Sequence, residues 1–183
     1  MLDIKFKPFP NLVTDRLFLR AITLDDKREI FALQSDPKVM EHVCRPLTGS
    51  VEEAETFINK ITKGIKEAQL VYWGITLKVD NSLIGTICLW NISKENHRAE
   101  VGYELMPDYQ GQGLMQEALA RVIEYSFNKI NLHSLEAEVN PSNTKSLRIL
   151  ERNGFSREAY FRDNVYFNGR YWDTCIYSLL NQE

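Results

Sequence analysis

Long apolar runs and low-complexity segments are absent from this 183-residue sequence. No stretch approaches the ~20 apolar residues that a membrane-spanning helix needs. The opening Met-Leu-Asp-Ile-Lys-Phe-Lys-Pro lacks the uninterrupted apolar segment of a signal peptide. We therefore expect a cytoplasmic protein without a membrane partner.

Cysteine is also scarce, and the sequence offers no pattern for a disulfide framework or a metal site. The cysteines are odd in number, and Cys44, Cys88 and Cys175 form no Cys-x-x-Cys pair. This spacing argues against structural disulfides and a cysteine zinc site, and it is typical of a reducing compartment. The histidines have no mutual spacing suited to a metal site or a catalytic triad, so we expect no metal.

An excess of positive charge is missing too. The chain has 22 Lys and Arg against 25 Asp and Glu, a formal net charge of −3, which gives no support to a surface for nucleic acid. Hydrophobic residues make up 44% and charged residues 26%, an ordinary globular composition. At this length, and without a linker rich in Pro, Gly or Ser, we expect a single domain over residues 1–183.

The most informative segment runs from Glu100 to Leu119 and is typical of a strand, a glycine-bearing turn and a helix. Its first residues alternate with the period of a strand, Pro107 ends that strand, and apolar residues from Leu114 onward follow one helical face. The turn, Gln110-Gly-Gln-Gly113, exposes main-chain N–H groups at the positive end of the helix dipole. This geometry favours an anion such as pyrophosphate, although such turns also carry glycine for purely local reasons.

The remaining pattern predicts a mixed α/β fold with about seven strands and about four helices. Capping boxes at Thr23 and Ser50 predict two helices, and Asn168-Gly169 is the strongest hairpin signal. A further hairpin turn is expected at Asp80-Asn81-Ser82. The predicted strands are residues 12–22, 70–79, 83–92, the segment that begins at 100, 133–140 and the two arms of the closing hairpin; the predicted helices begin at about residues 23, 50, 114 and 141.

This order of elements, with the glycine turn before the third helix, resembles the GNAT superfamily of N-acetyltransferases. Gln110-Gly-Gln-Gly-Leu-Met115 resembles the family's Gln/Arg-x-x-Gly-x-Gly/Ala signature, but Met115 crowds a position where the family carries Gly or Ala. Asn140–Phe155 resembles the family's closing helix, Asn-x-x-Ser-x-x-Leu-x-x-x-x-Gly-Phe. Further matches, typical of the branch of ribosomal-protein N-terminal acetyltransferases, are Thr14–Arg20, Asn96–Tyr103, Asn168–Asp173 and Tyr177–Leu180. The resemblance covers roughly residues 12–180 and implies a mixed, mostly antiparallel sheet.

The resemblance implies that acetyl-CoA is the co-substrate. It assigns the pyrophosphate to main-chain amides of the glycine turn, and the pantetheine to the strand end, where it would pair as an added strand does. Asn143 is a helix cap, a CoA contact, or both. Homodimers are common in the family, so a homodimer stays open here. The cofactor-binding residues predicted in this way are Leu105, Met106, Gln110, Gly111, Gln112, Gly113, Leu114, Met115, Asn143 and Ser146.

Acetyl transfer to an amine needs a group that removes a proton, because an α-amino group titrates near ~8 and a lysine near ~10.4. A carboxylate is the usual base. Glu104 and Glu100 lie on one face of the same strand, and Glu104 is favoured because we expect it nearer the acetyl end of the groove. The alternatives are an ordinary solvated position for Glu104 and a salt-bridged structural role for Glu100.

The reaction also releases a thiolate, whose pKa near ~8.5 makes a hydroxyl donor helpful. Many family members carry Tyr four residues before the closing glycine, whereas this sequence has Leu150 there. By resemblance to the ribosomal-protein branch, Ser146 is predicted as the donor. The alternative is a surface serine bonded to the helix backbone.

The leading hypothesis is an enzyme that moves acetyl from acetyl-CoA to a primary amine by direct attack in a ternary complex, since no cysteine is positioned as a nucleophile. The acceptor is either the N-terminal α-amino group of a protein, such as a ribosomal protein, or a small amine: a polyamine, an amino acid or an antibiotic. A non-catalytic acyl-CoA sensor is the rival hypothesis. Such a sensor would keep the glycine turn and Asn143 but would need neither glutamate.

Overall fold

Within the described part of the chain, one sheet of eight strands carries the helices on its two faces. The computed structural model describes residue 2 and residues 4–181. The strands are β1 Leu12–Val13, β2 Leu17–Ala21, β3 Val71–Leu77, β4 Asp80–Ser93, β5 Arg98–Leu105, β6 Ser134–Val139, β7 Ser156–Phe167 and β8 Arg170–Leu180. The helices are α1 Lys27–Ser35, α2 Val51–Lys66, α3 Leu114–Asn128 and α4 Thr144–Arg152, and short 3-10 turns at Leu24–Asp26 and Pro107–Tyr109 precede α1 and α3.

The strand order confirms a mixed, mostly antiparallel sheet. The strands lie in the order β1-β2-β3-β4-β5-β6-β8-β7, and within the described residues only β5 and β6 pair in parallel. The sheet has eight strands rather than the predicted seven, because the strand predicted over residues 12–22 is divided into β1 and β2. A turn separates them, in which the Thr14 side chain accepts a bond from the Leu17 N–H at 2.9 Å.

The two predicted hairpin turns have different outcomes. Asn168 and Gly169 both have positive φ, 50° and 77°, as their type of turn requires, and they join β7 to β8 as expected. The turn predicted at Asp80-Asn81-Ser82 is wrong. The turn lies at residues 78–79, because Leu77 pairs with Asp80. The Asp80 carboxylate accepts bonds from the N–H and the hydroxyl of Ser82 within β4.

The two faces of the sheet carry separate hydrophobic clusters, because neighbouring side chains of a strand point to opposite sides. Trp73 belongs to the larger cluster, which includes Leu119 of α3 and Leu150 of α4. Tyr72 belongs to the smaller cluster, which includes Ile58 of α2. We call these sides of the sheet the α3 face and the α2 face.

The sheet opens in its middle, between β5 and β6. These strands pair only at Arg98↔Ser134, Ala99↔Leu135 and Glu100↔Glu136. Beyond these pairs, β5 continues to Leu105 paired only with β4, and β6 continues to Val139 paired only with β8. We call the space between residues 101–105 and 137–139 the central gap. It is narrow at Glu100 and wide at the turn that follows Leu105.

Candidate active site

The glycine turn lies at the wide end of the central gap and presents a row of unpaired amides. Gly111 and Gly113 both have φ of +76°, which an L side chain adopts only with strain. Within the part of the chain that the structure describes, no acceptor bonds the main-chain N–H groups from Gly111 to Gln116. Such a row at a helix N-terminus is suited to a phosphate or diphosphate.

The residues of the predicted cofactor signature divide by what their side chains contact. Leu114 and Met115 are buried in the cluster on the α3 face. The Met115 side chain therefore does not project over the row of unpaired amides, and the crowding expected from its size does not arise. Gln110 Nε2 donates to the Leu105 carbonyl at 2.9 Å and its Oε1 accepts from Lys145, while Gln112 Nε2 donates to the Asp108 carbonyl.

An anchor that the sequence did not reveal holds this turn against β2. Arg16 Nε donates to Glu117 Oε2 at 2.7 Å, and Arg16 Nη1 donates to the Gln112 carbonyl at 3.0 Å. The Glu117 carboxylate also accepts the Thr14 hydroxyl. These residues lie about a hundred positions apart in sequence, and the only signal was the match of the Thr14–Arg20 segment to the family.

The two predicted pantetheine partners differ in their main-chain bonds. Both polar groups of Met106 already have partners, because its N–H donates to the Ile84 carbonyl at 2.9 Å and its carbonyl accepts from Tyr109 at 3.0 Å. Main-chain groups of an antiparallel strand alternate in direction, so those of Leu105 and Tyr103 point away from β4 into the central gap. The gap wall therefore offers both main-chain groups of Tyr103 and the N–H of Leu105 rather than Met106, since the Leu105 carbonyl already accepts from Gln110.

Glu104 lies on the α2 face, where it is buried against the segment that joins α1 to α2. Its side chain is 12% exposed, and its Oε1 accepts from Arg45 Nη2 at 2.7 Å. Among the described residues, no donor contacts its buried Oε2. Burial raises the pKa of Glu104, and Arg45 opposes part of that rise. This glutamate is therefore neither a solvated surface residue nor fully paired.

Glu100 lies on the same α2 face, at the narrow end of the gap. It pairs across β4 with Trp90 and across β6 with Glu136. Its Oε2 accepts from Asn91 Nδ2 at 2.9 Å. Burial raises the pKa of Glu100 to about 7, with smaller contributions from Glu138 and Glu136, against the opposing effect of the Asn91 bond. Glu100 therefore exchanges a proton in the neutral pH range.

On the α3 face, Ser146 lies beside a hydroxyl that the sequence did not single out. Ser146 Oγ and Tyr103 Oη are 2.7 Å apart, and burial raises the pKa of Tyr103 to about 12. Leu150, at the position where the resembled family carries Tyr, is fully buried in the core. Asn143 Oδ1 accepts from the Ser146 N–H at 3.1 Å, so Asn143 caps α4.

Replacing Asn143 with Ala is expected to lower the free energy of unfolding by about 1 kcal/mol, because the first turn of α4 loses its cap. Denaturant titration measures this loss, and Asn143→Ser, which keeps a capping oxygen, is the control. If Asn143 also contacts CoA, calorimetry is expected to show weaker CoA binding by the Ala variant than by the Ser variant, by more than the difference in their stabilities explains. An Ala variant as stable as the unaltered protein would contradict the capping role.

The described residues contain no group of three or more His, Cys, Asp or Glu side chains arranged to hold a metal ion. None of their helices is both long enough and apolar enough to cross a membrane.

Comparisons with known proteins agree with the fold. The model of the acetyltransferase (GNAT) domain matches residues 16–156. "Uncharacterized N-acetyltransferase YoaA" of Bacillus subtilis is 35% identical over 172 residues, which covers 94% of this chain and 97% of that protein. The "[Ribosomal protein uS5]-alanine N-acetyltransferase" of Escherichia coli is 26% identical over 180 residues, 94% of this chain and 91% of that protein.

A solved structure shows the same architecture. Spermidine N-acetyltransferase from Vibrio cholerae, in complex with CoA and spermine, superimposes with a TM-score of 0.80 at 29% identity and covers 90% of this chain and 95% of that one. The fold, the family model and the relatives agree, and this chain belongs to the GNAT family of acetyl-CoA-dependent N-acetyltransferases.

Proposed function

We propose that this protein acetylates the α-amino group of a protein N-terminus by direct attack of the amine in a ternary complex with acetyl-CoA. The central gap is the observation that carries the proposal, because it connects an anion site at its wide end with an ionisable carboxylate at its narrow end. The Escherichia coli relative, named for an alanine of ribosomal protein uS5, supports the choice of acceptor.

The residues that bind the acetyl donor, acetyl-CoA, line the gap from its wide end inward. The amides from Gly111 to Gln116 hold the diphosphate, with Lys145 beside them through its bond to Gln110. The main-chain groups of Tyr103 and the N–H of Leu105 pair with the pantetheine amides as a neighbouring strand would. When bound, acetyl-CoA supplies an activated thioester. Its extended chain, anchored at the glycine turn, runs toward the narrow end of the gap.

This direction changes which glutamate we assign as the base. The sequence favoured Glu104 as the residue nearer the acetyl end, but the β5–β6 register puts Glu100 at the narrow end and Glu104 nearer the glycine turn. Glu104 is also held by Arg45. We therefore assign proton removal to Glu100. We assign to Glu104 and Arg45 the attachment to the sheet of the segment that joins α1 to α2, which we propose contacts the acceptor.

The pKa of Glu100 suits an α-amino group better than a lysine or a polyamine. A base with a pKa of about 7 removes a proton from an α-ammonium of pKa near ~8 at a cost of about 1.4 kcal/mol. For an alkylammonium of pKa near ~10.4 the same step costs about 4 to 5 kcal/mol. Ser146 acts at the other side of the reacting carbonyl, where its hydroxyl donates to the departing sulfur.

A polyamine is the second candidate acceptor, and one observation favours it. Glu136 and Glu138 of β6 raise the pKa of Glu100. Arg98 pairs with Glu136, so Glu100 and Glu138 supply the carboxylates near the narrow end of the gap. Such a surface attracts a molecule with more than one positive charge. The similar Vibrio cholerae structure holds spermine.

We also propose that this chemistry belongs to one domain working in the cytoplasm. Strands on both sides of the central gap belong to one sheet, and the family model matches most of that sheet. All three cysteines are free thiols, which supports a reducing compartment.

The test is transfer of labelled acetyl from acetyl-CoA to matched peptides and amines, read by mass spectrometry. One peptide set has free N-termini with varied first residues, the control set has blocked N-termini and one internal lysine, and a third set contains spermidine and spermine. We expect acetyl on the free N-termini and little on the blocked peptides. Preferred transfer to spermidine would instead select the second candidate, and CoA binding without transfer to any amine would select the non-catalytic sensor.

A further inference from the structure

A hydroxyl pair bridges the two walls of the central gap. Tyr103 belongs to β5, three residues beyond the last pair between β5 and β6, whereas Ser146 belongs to the first turn of α4, which follows β6. Their oxygens are 2.7 Å apart. Both residues lie on the α3 face, opposite Glu100 and Glu104. A molecule lying in the gap therefore contacts this bridge from one side and the glutamates from the other.

The bridge has one hydrogen-bond donor more than it uses. Each hydroxyl carries one proton, and the mutual bond consumes only one of them. Among the described residues, no other partner contacts Tyr103 Oη or Ser146 Oγ. Either oxygen can donate in the mutual bond; because a phenol is intrinsically a stronger donor than an aliphatic hydroxyl, we take the arrangement with Tyr103 donating to Ser146. The Ser146 proton is then free to point into the gap.

We propose that Tyr103 is a positioning residue of the acetyl transfer, which donates to Ser146 Oγ and so directs the Ser146 proton at the sulfur of the thioester. This inference rests on the proposed function and deepens it. As the N–C bond forms, the C–S bond breaks with its electron pair on sulfur, and Ser146 donates to that negative charge. Of the two protons that the amine nitrogen gives up, Glu100 takes one and the sulfur receives the other.

The first test is a double-mutant cycle on kcat with the best acceptor of the panel. Tyr103→Phe and Ser146→Ala are each expected to lower kcat about tenfold, while the dissociation constant of CoA changes less than about twofold. The double variant is expected to be no slower than Ser146→Ala alone, because Tyr103 acts through Ser146. Ser146→Thr, which keeps the hydroxyl, is expected to retain most of the activity. Tyr177→Phe, which removes a phenol bond to Glu151 elsewhere, is the matched control.

The second test needs no turnover, so it separates this inference from the proposed function. A hydrogen bond from Ser146 stabilises a bound thiolate, and the pKa of the CoA thiol in the complex is therefore expected to rise in Tyr103→Phe and in Ser146→Ala. Ultraviolet difference spectra of the complex against the free protein follow this titration. Additive losses in the cycle, or an unchanged thiol pKa in Tyr103→Phe, would overturn the role of Tyr103. A protein that transfers acetyl to no amine, yet shows the thiol shift, would overturn only the proposed function.

Discussion

Replacing Glu100 with Gln is expected to lower kcat/KM for the amine acceptor about 10²- to 10⁴-fold, the usual contribution of a general base. The amide keeps the size of the side chain and still accepts the Asn91 bond, but it cannot take a proton. The dissociation constant of CoA is expected to change less than about twofold, because the proposed diphosphate site lies at the other end of the gap. Steady-state kinetics and calorimetry measure the two quantities.

Glu104→Gln is the matched control, since it makes the same change on the same strand and face. Its amide oxygen still accepts from Arg45, so we expect a rise in the acceptor KM and a much smaller loss of kcat. The opposite ranking of the two variants would return the base to Glu104, as the sequence suggested.

The pH profile of the unaltered enzyme tests the same assignment. Because burial raises the pKa of Glu100 to about 7, its carboxylate is mostly protonated below that pH and cannot accept a proton. We expect kcat/KM to fall as the pH drops through about 7 and to level off above it. This acidic limb should vanish in Glu100→Gln, and a limb that persists there would assign it to another group.

Replacing Gly113 with Val is expected to weaken CoA binding about tenfold or more. Its φ of +76° is strained for a β-branched residue, so the turn shifts and its amides no longer converge on the diphosphate. Hydrogen bonds to charged groups contribute about 1.5–3 kcal/mol each, so the loss of one such bond to the diphosphate is enough to weaken CoA binding about tenfold. Calorimetry with CoA measures the affinity.

Gly169→Val is the matched control for that variant. Gly169 has φ of +77° in the β7–β8 turn, and nothing lies within 4 Å of the position its Cβ would take. Both replacements therefore cost similar stability, but only the one at Gly113 touches the proposed diphosphate site. Equal CoA affinities for the two variants would show that the glycine turn does not bind the cofactor.

Local signals predicted the elements that frame the site. The alternation of β5, the glycines of the turn and the helical pattern of α3 are properties of neighbouring residues, so the sequence was enough to locate them. The capping oxygen of Asn143 followed from the same kind of local rule. The prediction of a hairpin turn at residues 80–82 was wrong because an aspartate can bond a residue two positions ahead within a strand as well as within a turn.

The sequence by itself therefore determined the family, the order of the elements and the position of the glycine turn, because short-range main-chain preferences decide these features. Only the tertiary structure decided which glutamate lies at the narrow end of the gap, and which side chains meet there. Glu104 meets Arg45 across 59 positions, Ser146 meets Tyr103 across 43, and Glu117 meets Arg16 across 101. No local pattern encodes such pairs, since they form when strands of one register bring distant residues to one face.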